Sequence, residues 1–75
     1  MSDRLILVLA ERDYLYGTGA LTLRVQHVNR EDPIPYDDEP WYFVHGTQLG
    51  REGRELGALV VVVRGKRLAS AGLQL

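Results

Sequence analysis

The sequence predicts an all-β domain: five short antiparallel strands closed into a small barrel or held as a strongly twisted sheet. Three observations carry that reading. Residues 20–28 alternate, with Leu21, Leu23 and Val25 on one side and Thr22, Arg24 and Gln26 on the other, the period of a strand with one wet face. Residues 56–64 hold four consecutive valines, a composition suited to extended backbone. The whole chain has 75 residues, which allows one domain and no more.

The first strand is expected at residues 5–10, Leu-Ile-Leu-Val-Leu-Ala, a short apolar run with charges at both ends. A helix over residues 5–13 is the competing reading, because Leu and Ala favour it and Glu-Arg-Asp does not break it. A connection follows at 11–19, punctuated by Gly17 and Gly19. The second strand is residues 20–28. Residues 29–40 contain all three prolines and five of the ten acids. Proline lacks the N–H that a ladder needs, so a long, exposed Pro/acidic loop is expected there. The third strand is 41–49 and the fourth 56–64, joined by a Gly-containing hairpin turn. If Leu49 pairs with Leu56, then Thr47 faces Ala58, His45 faces Val60 and Phe43 faces Val62, a self-consistent register. Four valines in a row imply two dry faces and hence a central strand. Gly65-Lys66 suits a type II′ turn, with a fifth strand at 67–69 and a flexible tail at 70–75.

Asp13, Tyr14 and Tyr16 after the first strand, Trp41-Tyr42 opening the third, and the hairpin Gly50-Arg51-Glu52-Gly53 occur in the order of an SH3-like barrel. At that level of layout residues 5–69 resemble the SH3-like fold, and the resemblance implies loop aromatics that bind extended, proline-rich ligands. The chain has no Ala-Leu-Tyr-Asp-Tyr run and no Pro-x-x-Tyr turn before the last strand, and its acidic insertion lies elsewhere. The likeness is therefore one of architecture and not of membership.

Composition narrows the function classes. There is no cysteine, which removes disulfides and thiolate metal sites. The net charge is -1, which opposes a generic polyanion binder. The charge is unevenly spread. Residues 1–50 hold four arginines against eight acids, and residues 51–75 hold five cations against two, balances of -4 and +3. The run 5–10 is too short to span a membrane, and its flanks Asp3, Arg4, Glu11 and Arg12 are wrong for a signal peptide. A cytoplasmic location without membrane association is the expectation.

No motif for catalysis emerges. Ser2 and Ser70 lie near the ends, and Thr18, Thr22 and Thr47 have no His-Asp pair at a useful spacing, so no enzyme and no cofactor is expected. His27 and His45 are the only histidines. Both fall on the apolar side of their strands, as diagonal neighbours if Val25 faces His45. Two ligands do not complete a zinc site, so solvated or satisfied imidazoles are expected and no metal. A calcium site from Glu31, Asp32, Asp37, Asp38 and Glu39 lacks the spacing of alternating acids around a central glycine. Gly17-Thr18-Gly19 precedes a strand and not a helix N-terminus, so it reads as a tight turn and not a phosphate cradle.

What remains is an interaction module. The expected surface joins Tyr14, Tyr16, Tyr36 and Tyr42 with Glu31, Asp32, Asp37, Asp38 and Glu39. Trp41 and Phe43 are expected to pack inward and Tyr42 to alternate outward. Accessible aromatics anchor interfaces, and acids beside them suit a basic or proline-containing protein. The charge split also suits a homodimer, acidic loop 31–39 against Arg51 and Arg54 of a second copy. The alternative is a nucleic-acid-binding barrel using Arg51, Arg54, Arg64, Lys66 and Arg67. Charges after residues 59–63 also serve to suppress aggregation of a β-prone window, and that reading is preferred. A third reading is an accessory subunit of a larger enzyme.

Overall fold

A computed structural model describes residues 5–75; Ser2, Asp3 and Arg4 lie outside them. Four strands, β1 (Ile6–Leu9), β2 (Leu21–Tyr36), β3 (Glu39–Leu49) and β4 (Glu55–Arg64), form one antiparallel sheet in the order β1-β2-β3-β4. The sheet curls into a half-barrel. A short helix, α1 (Gly65–Ser70), follows β4.

The concave face is the core. Leu7 and Leu9 of β1, Leu21, Leu23 and Val28 of β2, Tyr42 and Val44 of β3, and Val61 and Val63 of β4 cluster there. The β3–β4 pairs Thr47–Ala58, His45–Val60 and Phe43–Val62 form as expected, whereas Leu49 pairs with Glu55 and Leu56 is the extra residue of a bulge. The faces are the reverse of those expected. Tyr42 points inward, and Trp41 and Phe43 lie on the convex side. Trp41 is nonetheless only 2% exposed, because Tyr36 packs edge-on against it and the Arg64 guanidinium lies over its ring.

The seam between the two outer strands is closed from the β1 side. Leaving β1, the chain makes a 3-10 turn (Glu11–Asp13), in which the Asp13 carboxylate accepts the Ala10 N–H at 2.8 Å. Tyr14 then bridges Val63, and the Leu15 N–H donates to the Val62 carbonyl at 3.0 Å. This short crossing covers one end of β4. The valine run therefore belongs to an edge strand and not a central one: Val61 and Val63 are buried by the core, and Val62 lies beside the crossing, while Val60 is 51% exposed.

Residues 29–40 are not a loop. They extend the β2–β3 hairpin into an arm closed by Asp37-Asp38, both at positive φ (54° and 61°), the left-handed pair that the tightest hairpin turns require. The ladder tolerates its prolines for a geometric reason. Tyr36 and Glu39 flank the turn as a hydrogen-bonded pair, and such pairs alternate with open ones. Pro35 and Pro40 form the next, open pair, where an N–H would have pointed away from the partner strand. Pro33 sits in the other irregular stretch. Between Asn29 and Ile34, β2 has four residues opposite the single Tyr42 of β3, a large bulge holding Arg30, Glu31, Asp32 and Pro33.

Residues 67–69, expected as a fifth strand, belong instead to α1. Leu68 is fully buried at the end of the core. Gly65 starts the helix where a Cβ would meet the Pro40 carbonyl at 2.8 Å and the Tyr42 ring at 3.1 Å, so no larger side chain fits. The residues expected as a flexible tail pack back: Ala71 and Leu73 contact the core, the Leu73 N–H donates to the Leu68 carbonyl at 3.2 Å, and the Arg30 Nε donates to the Gln74 carbonyl.

If α1 plugs the core, truncating Leu68 leaves a cavity. Leu68→Ala is expected to lower unfolding free energy by ~2–5 kcal/mol in urea denaturation, and Leu75→Ala, at an exposed site, to change it by less than about 0.5 kcal/mol. Equal, small effects would contradict a docked helix.

Candidate functional site

The expected aromatic surface divides. Tyr14 and Tyr42 are 8% and 9% exposed and are core residues, which corrects their expected role as contact residues. The Tyr14 hydroxyl donates to the Gly19 carbonyl at 2.9 Å, with the Thr18 carbonyl at 3.3 Å. Its ring fills the space that a Cβ on Gly17 would occupy, 2.2 Å away. The glycines of 17–19 thus accommodate Tyr14. Tyr16, 94% exposed and at φ 67°, lies beyond the seam. Tyr36 lies on the arm. Tyr16 and Tyr36 are therefore on separate parts of the surface.

The arm does gather the expected acids. Glu31 and Asp32 lie in its bulge and Asp37 and Asp38 at its tip, all exposed. Among the described residues none of these four takes part in an ion pair. Glu39 differs. Its side chain is mostly buried against Arg64, to which one carboxylate oxygen is bonded, while Oε1 is buried without a partner. Tyr36 is held in place from two directions: its ring packs on Trp41 at 5.6 Å, and its carbonyl accepts the Trp41 Nε1–H at 2.9 Å. The other face of the arm forms an open recess of about 450 Å³ lined by Pro33, Pro35, Pro40, Asp38 and Glu39. The result is an acidic element with one rigidly seated, half-exposed aromatic ring.

The five cations of the nucleic-acid alternative do not come together. Arg51 and Arg54 lie at the β3–β4 turn, and Arg64, Lys66 and Arg67 at the other end of the ten-residue β4, ~30 Å away for an extended strand. Two of them are engaged within the fold. Arg64 pairs with Glu39, lies 4.7 Å from the Trp41 ring centroid and donates to the Arg12 carbonyl at 3.1 Å. Arg67 donates to the Val8 carbonyl at 3.2 Å and lies 3.8 Å from the Asp13 carboxylate.

His27 and His45 are direct cross-strand partners with ring centroids 5.8 Å apart. Both are exposed on the convex face, not on the apolar side. A β-bulge at Gln26 inserts one residue, which turns His27 outward and Val28 into the core. Among the described residues no three or more His, Asp or Glu side chains converge as a metal site, and no helix is long and apolar enough to cross a membrane.

Sequence reasoning missed one feature, the unpaired part of β4. Since Val62 turns its carbonyl out to Leu15, alternation along the strand turns the N–H and C=O of Val60 and Ala58 outward as well. Among the described residues nothing pairs with them beyond the crossing. A cleft of about 470 Å³ lies beside this stretch, with Leu15, Tyr16 and Thr18 on one wall and Leu59, Val60 and Val61 on the other. On the opposite sheet edge Arg67 occupies the Val8 carbonyl.

Comparisons of the chain with protein families, with curated proteins and with solved structures give no match.

The Arg64 cluster has a measurable consequence. Arg64→Ala strands a mostly buried carboxylate and is expected to cost ~1–3 kcal/mol, whereas Lys66→Ala, at an exposed position, costs less than about 0.5 kcal/mol. Adding Glu39→Gln to Arg64→Ala recovers part of the loss, a coupling that a double-mutant cycle reads directly. Strict additivity would mean the pair contributes nothing.

Proposed function

We propose that the chain is a non-enzymatic interaction module whose β2–β3 arm binds a protein partner through a basic surface. The carrying observation is the chemistry of the turn. Two adjacent residues at positive φ call for Asn-Gly or Asp-Gly, and a side chain at such a position costs ~1 kcal/mol relative to glycine. Here the turn is Asp37-Asp38, which adds like-charge repulsion to backbone strain. Strain retained at an exposed tip, where nothing in the fold requires it, is the mark of a position kept for contact.

The rest of the arm supports the reading. Glu31 and Asp32 supply further unpaired charge, and Tyr36 supplies an aromatic anchor already fixed by Trp41, so little freedom is lost on binding. Acids at the rim steer a basic partner and set orientation, while the desolvated ring carries more of the affinity. An SH3-like relationship remains a proposal of layout: the returning Tyr14–Val63 bridge supports it, and the helix after β4 departs from it.

The test uses a variant that improves the fold while removing the charge. Asp37→Asn with Asp38→Gly restores the preferred turn and is expected to raise stability by ~1–2 kcal/mol. Capture of basic partners from the native host, quantified by mass spectrometry, is expected to fall with this variant and with Tyr36→Ala, and to weaken with added salt. A more stable variant that captures the same proteins as the wild type would rule the arm out.

A further inference from the structure

We infer that the unpaired stretch of β4 is a docking edge for a second copy of this chain, joined antiparallel across a two-fold axis. The edge is self-complementary. With the axis beside Leu59, Ala58 of one copy lies opposite Val60 of the other, and the two free N–H and two free C=O groups of each copy all find partners. The side chains match: on the convex face each small Ala58 meets a Val60. The same register sets residue 56 of the second copy opposite Val62, where Leu15 is bonded. The strand has to leave the ladder there, and it is built to do so, with a bulge at Leu56 and Gly57 at φ 137°. Leu56, 56% exposed, then falls beside Leu15 and the exposed Tyr16, which gives three otherwise unexplained apolar side chains a common contact.

Charge is mixed across this pairing, because the arm end of β4 also carries Arg64, Lys66 and Arg67. The acidic tip Asp37-Asp38 and the turn carrying Arg51 and Arg54 sit at opposite ends of β3. Antiparallel β4 edges bring the arm end of one copy toward the arginine end of the other. Among the described residues Arg51 and Arg54 are in no ion pair. Such exposed pairs add little affinity each, so the backbone pairing carries the interface. The two-fold consumes both β4 edges, and on the β1 edge Arg67 occupies the Val8 carbonyl. The inference rests on the arm reading only for this charge contribution; the backbone pairing stands without it.

Sedimentation equilibrium of the full chain from micromolar to millimolar concentration is the test, with two edge variants. Ala58→Pro removes an outward N–H and leaves the β3–β4 ladder intact, and Val60→Lys places a charge on the edge. The expected result is a monomer–dimer equilibrium whose dissociation constant rises by about tenfold or more in each variant, with unchanged far-UV circular dichroism, and a smaller rise for Asp37→Asn with Asp38→Gly. A wild-type monomer throughout overturns the inference, and if the arm still captures basic partners the function proposed above survives it. A dimer that both edge variants leave intact also overturns it. A dimer lost only in the arm variant does the same and assigns assembly to the arm.

Discussion

Tyr14 holds the two ends of the sheet together. Four strands joined by hairpins make an open, twisted sheet with two bare edges. One residue after the 3-10 turn, Tyr14 bridges Val63, carries Leu15 onto the Val62 carbonyl, and buries its ring in the core. Its hydroxyl then fixes the Gly17–Gly19 turn that returns the chain to β2, while the Glu11 carboxylate accepts the Gly19 N–H at 2.9 Å. Curvature, the burial of Val62 and the placement of Tyr16 all follow from that crossing. So does the short length of free β4 edge, since the crossing ends before Val60. The helix α1 closes the remaining gap by setting Leu68 into the core and Arg67 onto the β1 edge.

Much of the sheet was legible in local pattern. Alternation located β2, and cross-strand pairing logic found three of the β3–β4 pairs at the correct residues. Which face is the core was not legible, because both faces of β3 carry buried side chains, Tyr42 and Val44 on one and Trp41 and Thr47 on the other. Trp41 is sheltered on the convex side by Tyr36 and Arg64, groups that reach it from the arm and from β4. The valine run misled because Val61 and Val63 are buried by the core and Val62 lies beside the Tyr14 crossing, while Val60 stays exposed. The bulge at Gln26 has no composition signal, yet it inverts the side chains of residues 27–29 and takes His27 out of the core phase. Proline content predicted a loop at 29–40 because composition does not report phase. Pro35 and Pro40 fall on the alternate positions where a ladder does not need their N–H. Gly65 read as a turn residue, but its role is close approach to Pro40 and Tyr42, a contact distant in sequence.

The candidate site was legible as chemistry and not as geometry. Charge counting found the acids, and the arm does bring Glu31, Asp32, Asp37 and Asp38 into one element. The tyrosines look alike in sequence but divide by phase and by partner, two into the core and two onto separate surfaces. The charge asymmetry seen along the chain becomes spatial only in part: β3 separates Asp37-Asp38 from Arg51 and Arg54, but Arg64, Lys66 and Arg67 return to the arm end. The open edge of β4 follows from where the Tyr14 crossing stops, which no local signal encodes.

Residue-resolved amide hydrogen exchange at the crossing tests the role of Tyr14 most directly. The Leu15 amide is expected to be protected to nearly the level of the central β3 amides and the neighbouring Tyr16 amide to exchange freely. Tyr14→Phe, which removes the bond to Gly19, is expected to speed Leu15 exchange by about tenfold, the effect of roughly one hydrogen bond. A Leu15 amide exchanging as fast as that of Tyr16 in the unmodified protein would mean the seam is open, and the half-barrel would have to be held by α1 alone.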